Sequence, residues 1–152
     1  LLKVSIKKDV QMIQELVKTK KFQEIKEQIK KKISPIALSG LVDVEKSHVA
    51  IALYQELQKP ICVVTYNEIQ AKKLCEDMKK FGQQAWYFPK REIAAYDYVA
   101  QSKDLPYERI AVLNQMILAK QEKRPMIVVT TIEAVMQNMI STRSIVGSVR
   151  CV

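Results

Sequence analysis

Pro60 is followed by Ile61-Cys-Val-Val64, a continuous run with three β-branched residues, and then by Asn67-Glu-Ile-Gln70. A short apolar run between a proline and a helix cap predicts a strand buried on both faces. Such strands belong to parallel sheets covered by helices on either side, so this segment constrains the whole fold. Asn67-x-x-Gln70 is a capping box, and the helix it opens runs through Leu74 and Met78 to Lys80, with Gly82 as the terminating glycine.

The same alternation recurs along the chain. Pro35-Ile-Ala-Leu38 predicts a first strand, followed by a helix carrying Val49, Leu53 and Leu57 that Pro60 stops. Ala85-Trp-Tyr-Phe88 predicts a third strand closed by Pro89, and Met126-Ile-Val-Val129 a fourth. Between them, Asp104 or its neighbours cap a helix with Pro106 in its first turn and a stripe of Ile110, Leu113, Ile117 and Leu118. Thr130-Thr131 caps a last helix through Ala134, Val135 and Met139. The class predicted is α/β, a parallel sheet flanked by helices.

Two short helices precede this unit. Val10, Ile13, Leu16 and Val17 recur at helical spacing, as do Phe22, Ile25 and Ile29, with Thr19 available as the cap between them. The predicted division is a basic helical segment over 1–32, an α/β domain over 33–141, and a tail or linker start over 142–152. A start on Leu1-Leu2-Lys3 leads to the expectation that the chain is a fragment of a longer protein.

Charge is unevenly spread. Of the net +9, residues 1–32 contribute +6, from ten lysines against four acids. Lysines without interleaved arginine or aromatics are an ordinary solvated helical face more often than a nucleic-acid footprint. The three cysteines, Cys62, Cys75 and Cys151, do not have zinc-site or disulfide-framework spacing. Cys62 reads as a small buried hydrophobe, and the reducing interior of a cell as the natural setting. No apolar run is long enough for a membrane span.

The chemistry-bearing stretch is Ser39-Gly-Leu-Val-Asp-Val-Glu-Lys-Ser-His48. Gly40-x-x-x-x-Glu45-Lys46-Ser47 has the spacing of a phosphate-binding loop, with glutamate at the second glycine. A working loop needs glycines, because the backbone wraps the phosphate in conformations a Cβ forbids. Here Val42 and Val44 resist positive φ, and Asp43 and Glu45 would face the polyphosphate with like charge. Both acids suit an ordinary helix start instead, Asp43 as N-cap and Glu45 in the first turn. His48 reads as a helix-surface histidine. Further along, Lys90, Arg91, Lys103 and Arg109 with Tyr96 and Tyr98 form a candidate rim for nucleic acid or a partner. Asn67 and Gln70 are explained by capping.

In order, Leu38–Ser47, Pro60–Leu74, Tyr87-Phe-Pro89 with Tyr96-Asp-Tyr98, Ser102-Lys-Asp-Leu-Pro-Tyr-Glu-Arg-Ile110 and Ile127–Glu133 resemble the N-terminal part of bacterial transcription-repair coupling factor, the Mfd family. That region is in turn similar to the excision-repair protein UvrB. The resemblance covers about residues 33–140 and implies a P-loop NTPase-like scaffold, here degenerate, without ATP hydrolysis or lesion probing. In UvrB an aromatic hairpin near the Tyr-Asp-Tyr segment engages DNA; here only Ala100-Gln-Ser-Lys103 intervenes before the next helix. No acidic strand end of the D-E-x-x type appears. The resemblance further implies recruitment of UvrA and restraint of the motor as roles of the larger N-terminal region. ATP and magnesium, RNA polymerase and DNA then belong to other domains of a cytoplasmic full-length translocase, with no cofactor or metal in this piece. A degenerate loop that still binds ATP, or weak DNA contact through the basic face, is the alternative.

Overall fold

A computed structural model describes residues 11–91 and 104–137. It has an α/β fold with a three-stranded parallel sheet, β1 (Ile61–Thr65), β2 (Ala85–Phe88) and β3 (Ile127–Thr131), in the order β1-β3-β2. Helix α1 covers residues 11–18, and α2 (Lys20–Lys30), α3 (Asp43–Leu57), α4 (Glu68–Lys80), α5 (Asp104–Gln121) and α6 (Ile132–Met136) complete the elements.

Of the described strands, the last in the chain is the middle one of the sheet. Ile127 pairs with Ile61 on one side and Ala85 on the other, and every residue of β3 is buried. Alternation then divides the core. On one face Ile127, Val129 and Ala85 meet Ile51 and Ala52 of α3 and Ala71, Leu74 and Met78 of α4. Ile13 and Phe22 from α1 and α2 join that cluster, which is how the leading helical pair buries its stripe. On the other face Val128 and Phe88 meet Val112 and Ala119 of α5 and Ala134 of α6.

The helix ends follow from local side chains. Thr19 Oγ1 accepts from Phe22 N–H, Asn67 Oδ1 from Gln70 N–H at 2.7 Å, and Thr131 Oγ1 from Ala134 N–H. Helix α4 stops in a pair of reversed bonds, Gly82 N–H to Lys79 O and Gln83 N–H to Met78 O. Gly82 adopts φ +74° there, the left-handed conformation that favours glycine.

Three expectations are corrected. Pro35–Leu38 is not a strand: its backbone joins no sheet, and Leu38 is 44% exposed. Four residues headed by a proline without an N–H offer little to a ladder, and β3 already fills the centre with two-sided burial. Only half of the Asn67–Gln70 box forms, because the Gln70 side chain turns to Asp43 instead. Strand β1 is not buried on both faces: Val64 is 47% exposed and Cys62 is exposed as well. The reason is the lean of α5, which packs over β2 and β3 and leaves that side of β1 uncovered.

Candidate functional site

Gly40 precedes α3 with φ +81°, a conformation β-branched neighbours would not take. Val42, not Asp43, is the N-cap residue of α3, in extended conformation and with no side-chain acceptor to offer. Glu45 supplies the missing polar contact from inside the helix, its Oε2 accepting from Val42 N–H at 3.0 Å. This is the returning half of a capping box, and it corrects the assignment of the cap to Asp43.

Asp43 has a different task. Its Oδ1 accepts from Lys46 Nζ at 2.9 Å and from Gln70 Nε2 at 3.2 Å. The second bond ties the start of α3 to the start of α4, so the two helix N-termini lie together beyond the carboxyl end of β1. The Lys46 ammonium, bonded and of opposite charge, holds the Asp43 carboxyl below its ordinary range, with Gln70 and Lys73 adding to the effect. Both partners are half-exposed, so this is a solvated ion pair.

Ser47 and His48 point the other way. Ser47 is fully buried and His48 only 6% exposed, and neither Ser47 Oγ nor His48 Nε2 has a hydrogen-bond partner. The His48 ring meets Phe81 edge-on, with centroids 4.8 Å apart and planes at 67°. The expectation of a surface histidine is therefore wrong: position 48 falls on the α3 face that packs against the end of α4. In a functioning phosphate loop the hydroxyl at position 47 would face a magnesium ion. Here it faces the core.

No family model, curated protein or solved structure matches the chain.

The second candidate region divides. Arg109 is buried at 6% exposure, its guanidinium 4.3 Å from the Phe88 ring centroid and its Nη1 donating to Pro89 O at 2.6 Å. Burial, and then the charge of Arg91, lower its affinity for a proton. Gln137 accepts from Arg91 N–H at 2.5 Å and from Arg109 Nη1 at 3.4 Å, and its Nε2 donates to Arg91 O at 3.0 Å. Lys90 pairs with Glu133 at 2.8 Å. Three of the rim residues thus join the end of β2 to α5 and α6, while Tyr96, Tyr98 and Lys103 lie outside the described residues. Among the described residues no cluster of His, Cys, Asp and Glu is arranged to hold a metal, and no helix is long and apolar enough to cross a membrane.

A further concavity of about 580 Å³ lies beside the uncovered side of β1, lined by Cys62, Met116, Met126 and Val128 with Lys120 and Lys123 at its edge. Sequence reasoning did not find it. The apolar character of each residue was plain, but the opening depends on strand order and on where α5 sits.

Proposed function

We propose that this chain is a non-catalytic scaffold and interaction domain of a transcription-coupled DNA-repair translocase. It descends from a P-loop fold and works in the cytoplasm. Its role is to support recruitment of UvrA and to restrain a motor carried elsewhere in the full-length protein. ATP and magnesium belong to that motor, as do the contacts with RNA polymerase and DNA.

The observation that carries the non-catalytic reading is the engagement of the loop residues with one another. Glu45 answers the helix end, Lys46 is held by Asp43, and Ser47 is buried. A triphosphate at that terminus would have to displace a carboxylate already bound to the lysine, and would meet a second carboxylate at position 45. The family assignment itself rests on the ordered sequence segments given above.

Isothermal titration with ATP and magnesium tests the first part. No heat is expected from the wild-type chain; micromolar binding abolished by Lys46→Ala overturns the reading in favour of a competent nucleotide domain. Surface plasmon resonance against purified UvrA tests the second, with a weak complex expected and its absence removing that role. Fluorescence anisotropy with a DNA duplex covers the remaining alternative, since DNA contact through the basic helices would weaken steeply with salt.

A further inference from the structure

A parallel sheet is stable with helices over both faces, and one strand of this one lacks its cover on one face. On the face occupied by α5, helix contacts reach β2 and β3 through Val112 and Ala119, while Cys62 and Val64 of β1 stay exposed. The floor beside them is apolar, formed by Met126 and Val128, and its α5 wall includes Met116, itself 43% exposed. The outer edge of β1 has no backbone partner among the described residues either, and Ile61–Thr65 includes no charge or proline to protect it.

Charge selects the occupant. Lys120, Lys123 and Arg124 line the concavity and no acidic side chain does. Arg124 is paired with Glu122 at 2.6 Å, whereas neither Lys120 nor Lys123 pairs with a carboxylate among the described residues. Lys123 occupies the C′ position after α5 with φ +54°, where glycine is the residue of least strain. A helix laid alongside α5 would sit about 8–10 Å from its axis, over β1, in the layer that α5 leaves open.

We infer that this trough is a docking site for an amphipathic helix of a partner protein, its apolar stripe over Cys62, Val64 and Met116 and an acidic flank against Lys120 and Lys123. The unpaired surface is a sheet face rather than only an edge, which is why a helix suits it better than an added strand. The inference does not rest on the repair reading above, because it is argued from exposure, charge and strand order alone.

Cys62 lies on the floor and reports occupancy. The probe is a synthetic helical peptide of roughly 18 residues, built from Glu, Ala, Gln and Leu with a single leucine stripe, compared with its Lys-for-Glu counterpart. The readout is the rate at which N-ethylmaleimide alkylates Cys62, located by peptide mass spectrometry. The acidic peptide is expected to slow alkylation severalfold and the basic one to leave it unchanged. Lys123→Gly, which suits the backbone at that position, should keep the fold by circular dichroism and lose most of the protection. Equal protection by both peptides, or protection by neither, overturns the inference. So does protection that rises with protein concentration alone, which marks a second copy, or protection by dodecanoate as strong as by the peptide.

Discussion

The Arg109 guanidinium lies over the Phe88 ring, 4.3 Å from its centroid, in a site with almost no solvent access. The same guanidinium holds Pro89 O at 2.6 Å, so one side chain fixes both the end of β2 and the turn that follows it. Replacing Arg109 with methionine keeps the packing volume but leaves the carbonyl without its donor. The expected loss is about 2 kcal/mol, from a charge-assisted hydrogen bond and a desolvated cation–π contact. Arg109→Lys should recover only part of it, because an ammonium cannot lie flat on the ring while bonding sideways. Urea unfolding midpoints of the two variants check this.

Tyr87 donates to Glu68 Oε1 at 2.8 Å, and burial together with that carboxylate pushes its ionisation well above the ordinary tyrosine range. A raised folded value means that the unfolded chain gives up this proton first. The stabilisation is therefore complete below about pH 10 and falls as pH rises beyond it. Tyr87→Phe should lower stability at neutral pH and flatten the alkaline limb. Urea midpoints between about pH 9 and 11 would show equal slopes for both proteins if the contact contributed nothing.

Ser47 distinguishes a hidden hydroxyl from a metal ligand. Its Oγ is buried without a partner, so Ser47→Ala removes a desolvated polar atom and adds helix propensity. The expected effect is a stability change between zero and a gain of about 1 kcal/mol. A clear loss in thermal midpoint would mean that the hydroxyl has an acceptor.

Glu45 caps α3 from its first turn, through the 3.0 Å bond to Val42 N–H. Glu45→Ala should cost about 0.5–1 kcal/mol, within the usual range for a cap. Glu45→Gln keeps an acceptor and should cost less, the remainder being the loss of negative charge near the helix N-terminus. Thermal melts of both variants at low and moderate salt separate the two contributions, because only the charge effect is screened.

What was legible in the sequence follows the range of the interactions. Thr19, Asn67 and Thr131 cap the helices they were expected to cap, since a cap is decided within three or four residues. Three of the four anticipated strands form at their expected positions within a residue or two, because a β-branched run between Pro, Gly and cap residues has few other uses. Pro35–Leu38 failed for lack of length. His48 was misjudged because one histidine gives no hint of facing Phe81, a residue that only tertiary packing brings close. Arg109 looked like part of an open basic rim, since nothing local indicates that an arginine will lie across an aromatic ring inside. The loop was the most informative case: Asp43 and Glu45 were identified as helix-end carboxylates, but which of them closes the end required the hydrogen bonds.

The sheet order β1-β3-β2 constrains when this chain can complete its sheet. β1 and β2 are not neighbours in the sheet; each pairs its backbone with β3, and Thr65 and Thr130 meet across a separation of sixty-five residues. A ribosome that has produced both early strands has produced two that do not pair with each other; their side chains can pack on α4, but their backbone edges wait for β3. Folding of the sheet is thus bound to the completion of synthesis through Thr131, with slow, non-local closure rather than stepwise growth. The strand that joins last in time holds the central place in space.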